Sequence, residues 1–291
     1  MTPTTGPVTL RTLRQMAAEG RPFACLTCYD ATTARWLARG GVHLLLVGDT
    51  AAEVVLGFER TVDAPLEVMI ALTAGVKRGA PDRVVMGDMP FMSYQASPDE
   101  AVRNAGRFLV EGRADVVKIE ADSSHVPLVR RMSSAGIPVC AHVGSRPQRA
   151  AMTAGYSSAG RTASEAAKIV EDAVALERAG AVMLLLEAVP DEVTARVLQV
   201  TTSPVIGIGA GAACHGQVLV LHDLLGLSEH PPKFAEPLAL MGPGFADAAS
   251  RWVERVGARR VGGIRYTMKP GEAEKFAAAT EHLSPGEDSD R

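Results

Sequence analysis

"DVVKIEAD", residues 115–122, reads as a buried strand with a lysine and a glutamate set into its middle. Two valines and an isoleucine favour extended, covered backbone. Side chains alternate faces along a strand, so Lys118 and Glu120 project the same way, with Val116 beside them. An ion pair on one face of a core strand is either a structural salt bridge near a strand end or the charged floor of a catalytic site. Which of the two holds depends on what surrounds it.

Similar apolar runs recur along the chain. They are "FACLTCYD" (23–30), "VHLLLVGDT" (42–50), "RVVMGDMP" (83–90), "PVCAHVGS" (138–145), "AVMLLLEAVP" (181–190), "SPVIGIGAG" (203–211) and "GQVLVLHD" (216–223). Near-continuous apolar runs are the mark of parallel strands covered on both faces. Between them lie helical patterns such as "PDEAVRNAGRFLVEGR" (98–113) and "TASEAAKIVEDAVALERAG" (162–180). The second opens on Thr162 with Glu165 three residues on, a capping-box spacing, and ends on Gly180. Gly112, Gly136 and Gly180 each stand where a helix should stop before a new strand. Strand–helix alternation repeated about eight times predicts an α/β fold, a single-domain (β/α)₈ TIM-type barrel. A doubly wound sheet is the competing fold, but no G-x-G-x-x-G follows the first strand, and "GIGAG" (207–211) comes late. The expected organisation is an N-terminal segment over 1–22, the barrel over 23–262 and a C-terminal segment over 263–291 whose polar end frays. Longer insertions are expected at 51–65 and 146–161.

Composition narrows the function. With 47% hydrophobic residues the 291-residue chain has ample material for a core. A net charge of −3 without a basic block argues against nucleic acid and anionic membrane as partners. The opening "MTPTTGPVTLRTLRQ" lacks the apolar core of a signal peptide, and no apolar run reaches the ~18 residues of a membrane helix, so the expected location is cytoplasmic. "CLTC" (Cys25, Cys28) has metal or redox spacing, but three positions on a strand put the thiols on opposite faces. The two read as small buried residues.

In a barrel the chemistry sits at the C-terminal ends of the strands. Those ends carry Asp30, Asp49 with Thr50, Asp88, Lys118 with Glu120, His142 and Glu187. Asp30 opens "DATTARW" and reads as a helix N-cap. Asp49, Asp88, Glu120 and Glu187 would converge on one mouth, and like charges that close need compensation. A hard divalent cation supplies it, since Mg²⁺ takes oxygen ligands from one or two carboxylates. Mn²⁺ accepts the same donors. Glu187 ends a very apolar strand, and burial raises a carboxyl pKa into the range of a general base or acid. His142 reads equally as a satisfied core histidine or a site residue. His215, His222 and His230 read as surface or helix-end residues. Arg146, Arg149 and Arg161 flank the 146–161 insertion as solvated charges or as a clamp for an anionic group.

Taken in order, "TCYD", "LLVGDT", "GDMPFMSY", "VVKIE", "PVCAHVG", "LLLEAVP", "PVIGIGAG" and "GQVLVLHD" followed by "PPKF" resemble the ketopantoate hydroxymethyltransferase family of the phosphoenolpyruvate mutase/isocitrate lyase superfamily. The resemblance covers about Phe23 to Phe234. It implies a (β/α)₈ barrel assembled as a homo-oligomer such as a decamer. It also implies Mg²⁺ (or Mn²⁺) held by Asp49 and Asp88 with support from Glu120. Asp49, Thr50, Asp88, Lys118 and His142 would contact the 2-oxo acid, with Lys118 steadying the enolate and Glu187 acting as base. The implied reaction moves a one-carbon unit from 5,10-methylenetetrahydrofolate to C3 of 3-methyl-2-oxobutanoate, giving ketopantoate for pantothenate biosynthesis. Several mouth segments depart from the family pattern: "GFERTVDAPLE" (57–67), Ala71-Leu72, Ser145-Arg146-Pro147, "AGYSSAG" (154–160) and His215. These departures leave open a relative acting on another 2-oxo acid or using formaldehyde, with Arg146 or Arg161 engaging an added anionic group. A carbon–carbon lyase of the superfamily is the other reading, although no Lys-Lys-Cys-Gly-His run occurs.

Overall fold

The computed structural model describes residues 6–149 and 157–283. Its eight strands, all parallel to their neighbours, close into a barrel in chain order. They are β1 (Phe23–Thr27), β2 (Leu44–Val47), β3 (Val84–Asp88), β4 (Val116–Glu120), β5 (Val139–Gly144), β6 (Met183–Glu187), β7 (Val205–Ile208) and β8 (Gly216–Leu219). The helices are α1 (Leu10–Ala18), α2 (Ala31–Arg39), α3 (Ala51–Val54), α4 (Leu66–Gly79), α5 (Pro98–Val110), α6 (Val126–Ser134), α7 (Ala163–Arg178), α8 (Asp191–Val200), α9 (Leu221–Leu224), α10 (Met241–Gly257) and α11 (Glu272–Thr280). The barrel is the (β/α)₈ architecture that the strand–helix alternation predicts. Each strand is shorter than its apolar run, because the run continues into the loop that leaves the barrel. At β6 the chain turns out at Ala188, which takes φ +48.

Alternation of side chains along the strands builds two cores from one set of strands. Inside the barrel, Cys25, Leu44, Leu46, Val84, Met86, Val116, Cys140, Met183, Leu185, Ile206 and Val218 form one buried cluster. Between strands and helices, Leu45, Val47, Val85, Val117, Ile119, Ala141, Val143, Leu184 and Leu186 form another. Leu13 and Met16 of α1 join the interior cluster, and the backbone N–H of Val8 reaches the carbonyl of Asp82 just before β3. Val8 and helix α1 thus seal the barrel's N-terminal end. Cys25 belongs to the inner cluster and Cys28 to the outer one, both as buried free thiols, so the C-x-x-C spacing is divided between two faces as its strand setting predicts.

Local signals set the helices. The Asp30 carboxylate accepts the backbone N–H groups of Thr32 and Thr33 and starts α2, and Ser97 accepts from Glu100 ahead of Pro98 in α5. Thr162 caps α7 by accepting from Glu165. The Glu165 carboxylate takes the N–H of Arg161 rather than that of Thr162, so only half of the expected capping box forms.

The chain divides into two compact units, 1–242 and 243–291. The barrel lies in the first. The second carries most of α10 and all of α11, and none of its described residues is buried. Along α10, Phe245, Trp252 and Val256 repeat at helical spacing on one exposed stripe.

One glycine matters for placing the site. Gly87 lets the ring of Phe108, from α5, lie against β3 immediately before Asp88; a Cβ there would stand 2.5 Å from Phe108 Cδ1. Phe108 is wholly buried and has little room to yield. Gly87→Ala should therefore cost about 1–3 kcal/mol through overpacking, read as a lower midpoint in thermal or urea unfolding. Phe108→Leu in the same chain should recover part of it, and an unchanged midpoint in the single variant would refute this packing account.

Candidate active site

The alternation that fills the barrel with apolar side chains also lifts charged ones to its C-terminal end. The inner face of β3 reads Val84, Met86, Asp88; that of β4 reads Val116, Lys118, Glu120; that of β6 reads Met183, Leu185, Glu187. On β5, His142 follows Cys140. Strand register sets Asp88 beside Lys118 and Glu120 beside His142.

A chain of contacts results. Lys118 Nζ lies 2.8 Å from Asp88 Oδ1, and Asp88 Oδ2 accepts the backbone N–H of Asp49 at 3.0 Å. On its other side Lys118 Nζ is 3.4 Å from His142 Nδ1, and His142 Nε2 is 3.3 Å from Glu187 Oε2. Lysine can only donate, so its contact with Nδ1 is favourable when the imidazole proton is on Nε2, towards Glu187. Asp49, Thr50, Asp88, Lys118, His142 and Glu187 all line one cavity of about 770 Å³. Glu120 does not reach it. Its buried carboxylate accepts the backbone N–H of Gln148 at 3.1 and 3.2 Å. Among the described residues, no three His, Cys, Asp or Glu side chains form a ready-made cage for an ion.

Burial dominates the electrostatics. Desolvation raises Asp88 to about 7, against the pull of Lys118. It raises Glu120 to about 8, again opposed by Lys118, and Glu187 to about 7. Burial alone would lower Lys118, but the carboxylates of Asp88, Asp49 and Glu120 outweigh it and hold the ammonium above its ordinary value. His142 falls well below the usual imidazole range through burial and then the Lys118 charge, so its ring is neutral. The carboxylates therefore depend on one buried cation, and Glu187, the farthest along the chain of contacts, is 20% exposed towards the cavity.

A residue that the sequence patterns pass over ties this end of the barrel together. Gln148 sits in the short 3₁₀ turn Pro147–Arg149, 5% exposed. Its Nε2 donates to Asp49 Oδ2 at 3.0 Å and to the Met89 carbonyl at 3.1 Å, while its Oε1 accepts from Tyr94 Oη at 2.7 Å. The reverse amide orientation would set oxygen against carboxylate and carbonyl, so the partners fix it. Only a glutamine flanked by arginines is visible in "GSRPQRA", with nothing to say that it turns inward.

The arginines themselves point elsewhere. Arg146 and Arg149 both pair with Asp122, at 2.6 and 3.2 Å, and Arg161 is exposed. None of the three lines the cavity, which removes the expected anion clamp from it. The "AGYSSAG" departure lies partly outside the described residues. His215 is not at the surface but half-buried, its Nδ1 accepting the Val205 N–H at 3.0 Å. His222 is likewise half-buried, its ring 5.8 Å from that of Tyr29, while His230 is exposed at the cavity rim.

The closed parallel barrel is a fold shared with solved enzymes, one of them described as a member of the phosphoenolpyruvate mutase/isocitrate lyase superfamily. Among solved structures of that fold, a 2,3-dimethylmalate lyase matches with a TM-score of 0.56 at 18% identity, over 94% of this chain and 98% of its own. A phosphonopyruvate hydrolase in complex with oxalate and Mg²⁺ matches with a TM-score of 0.59 at 12% identity, over 94% and 99%. The sequence is far more specific. Residues 7–262 match the model of the ketopantoate hydroxymethyltransferase family. The 3-methyl-2-oxobutanoate hydroxymethyltransferase of Halorhodospira halophila is 43% identical over 251 residues, 86% of this chain and 91% of the relative. The chain belongs to the ketopantoate hydroxymethyltransferase family.

The Gln148 network has a measurable weight. Gln148→Leu would strip a hydrogen-bond donor from the Asp49 carboxylate and an acceptor from Tyr94 Oη, and should lower stability by about 1–3 kcal/mol. Urea unfolding measures it, and wild-type stability in that variant would refute the network.

Proposed function

We propose that the protein transfers a hydroxymethyl group to C3 of 3-methyl-2-oxobutanoate, using 5,10-methylenetetrahydrofolate as donor. Water supplies the hydroxyl oxygen, and the products are ketopantoate and tetrahydrofolate. The observation that carries this reading is the sharing of one cavity by a partly buried carboxylate held near neutral pKa, Glu187, and a buried ammonium, Lys118. A carboxylate with pKa near 7 is matched to removing a proton at neutral pH. An ammonium fixed in low dielectric favours the negative charge that this removal leaves on the oxo acid.

In this reading Glu187 takes the C3 proton beside neutral His142, whose buried Nε2 lies 3.3 Å from the carboxylate without an aligned hydrogen bond. Lys118 and Thr50 receive the substrate's oxygens, and Asp88 holds Lys118 in place. Water releases the donor's methylene carbon at the oxidation level of formaldehyde, its two C–N bonds breaking as two N–H bonds form on tetrahydrofolate. The carbanionic C3 then bonds to that carbon, and its oxygen takes up the proton to become the hydroxyl. Fit to a divalent cation is supported by Asp88 Oδ1, which is buried and accepts no aligned hydrogen bond even though Lys118 Nζ is 2.8 Å away. Asp49 and Asp88 would hold the ion from the cavity wall, and Glu120 would balance its charge from behind. These are hard oxygen donors, and two carboxylates completed by water and substrate oxygens suit Mg²⁺ or Mn²⁺. Bound there, the ion would supply Lewis acidity at the oxo acid's two oxygens. With Arg146, Arg149 and Arg161 outside the cavity lining, nothing among the described residues of those segments favours a different, more anionic acceptor.

Among the described residues, no helix is long and apolar enough to cross a membrane, in keeping with a cytoplasmic enzyme. The exposed apolar stripe of α10 supports assembly into a homo-oligomer, which analytical ultracentrifugation would measure.

Proton NMR in D₂O tests the enolising step directly. C3–H exchange of 3-methyl-2-oxobutanoate should require Mg²⁺ or Mn²⁺ and stop with EDTA. Glu187→Gln should slow it by about 10²- to 10⁴-fold, and exchange at the wild-type rate in that variant would remove Glu187 as the base. The pH dependence follows from its raised pKa. The base works ionised, so exchange should level off above pH 7 and fall about tenfold per unit once the pH is below about 7, where Glu187 is protonated. A rate that holds constant down to pH 5 would contradict this assignment.

A further inference from the structure

The cavity of about 770 Å³ is in the size range that takes a drug-sized ligand, far more than a five-carbon oxo acid fills. The residues named so far account for one part of its wall. Another part comes from the chain after β8, and it contains a carboxylate with no assigned role. Asp223, in the short helix α9, is 6% exposed and lines the cavity. Among the described residues no hydrogen bond or ion pair reaches its carboxylate. Its charge acts on the neighbouring half-buried His222, but no donor is fixed on it, and a carboxylate left open to a cavity is one whose donors a ligand can supply.

The neighbouring wall says what kind of ligand. Val218, Val220 and Ile208 add apolar wall to the same cavity. Phe234 lies over Gly209, close enough that a Cβ there would come within 2.9 Å of its Cδ1, and the residue is 43% exposed. The exposed Lys233 stands at the open rim of the same cavity. A flat heterocycle that is apolar on its faces and carries two parallel N–H groups on one edge meets these terms. The edge would meet the carboxylate as a fork, the face would lie along Phe234, and an anionic tail would leave past Lys233.

We infer that Asp223 is the recognition residue for the pterin ring of the one-carbon donor, accepting its ring N–H and 2-amino group in a bidentate pair. This rests on the proposed folate-dependent transfer and deepens it by assigning the second substrate its own part of the cavity. Asp223 acts in binding the donor, not in the proton transfer at C3.

The test compares wild type with Asp223→Asn, which keeps the shape of the side chain and replaces one acceptor by a donor. Tetrahydrofolate affinity, by isothermal titration, should fall about 10- to 100-fold. In steady-state transfer the KM for 5,10-methylenetetrahydrofolate should rise by a similar factor, while the KM for 3-methyl-2-oxobutanoate should move less than twofold. A ligand-side deletion covers the case in which the variant does not fold. A tetrahydrofolate analogue lacking the 2-amino group should bind wild type about tenfold more weakly or worse, and this loss should largely vanish in Asp223→Asn. Unchanged tetrahydrofolate affinity in a folded Asp223→Asn, or wild type indifferent to the 2-amino group, overturns the inference and leaves the proposed function standing. Wild-type enzyme that exchanges the C3 proton but takes no carbon from the folate overturns both.

Discussion

The pairing of Lys118 with Asp88 is the interaction on which the upper end of the barrel depends. Both groups are almost wholly buried, at 2.8 Å, on adjacent strands. Removing one partner of such a pair leaves an unmatched charge in low dielectric, a loss of about 3–5 kcal/mol. The same ammonium lies 3.4 Å from His142 and pulls against the burial-raised pKa values of Glu120 and Glu187. One cation therefore sets the charge state of several side chains. That is a poor way to gain stability, since an apolar cluster would fill the space at less cost. It is a good way to hold polar groups rigid and partly desolvated, which a reaction passing through an anion requires.

The fold makes this arrangement from a simple rule. Period-two alternation on β3, β4 and β6 places apolar side chains in the lower rows of the barrel and changes to Asp88, Lys118 with Glu120, and Glu187 only at the last inward positions. The charged groups stand on strands anchored by neighbours on both sides, which fixes them more tightly than a loop would. Where a loop does contribute, it is fastened. Gln148 reaches Asp49, Met89 and Tyr94 from its side chain and Glu120 from its backbone, so the Pro147–Arg149 turn is locked to the ends of three strands.

This division explains what could be read without a structure. Eight strands, the closed barrel and the inward set Asp49, Asp88, Lys118, His142 and Glu187 follow from alternation and strand ends, because these are properties of neighbouring residues. The strand limits were overrun because an apolar run does not stop where hydrogen bonding does. Glu120 shares its parity with Lys118, yet parity does not say that a turn 28 residues on would cover it. Gln148 and Asp223 were not legible for the same reason: their importance comes from contacts or exposure created by chain closure. Arg146 misled because a cation in a variable segment invites an anionic ligand, whereas Asp122, 24 residues earlier, already supplies one.

The position of the departures from the family pattern then bears on their meaning. Arg146 and Arg149 satisfy Asp122, a partner that is held well below the ordinary carboxylate range despite its burial, first by Ser124 and then by Arg146. A salt-bridged cluster of this kind fixes the path of the 145–149 segment, and that path is what delivers Gln148 to Asp49 and Glu120. A change in those loop residues acts on the site through the backbone they hold, not through charge offered to a substrate. Asp88, Lys118, His142 and Glu187, to which the proposed reaction assigns its charge, belong to strands that closure of the barrel fixes. The chemistry is thereby insulated from variation in the loops that surround it.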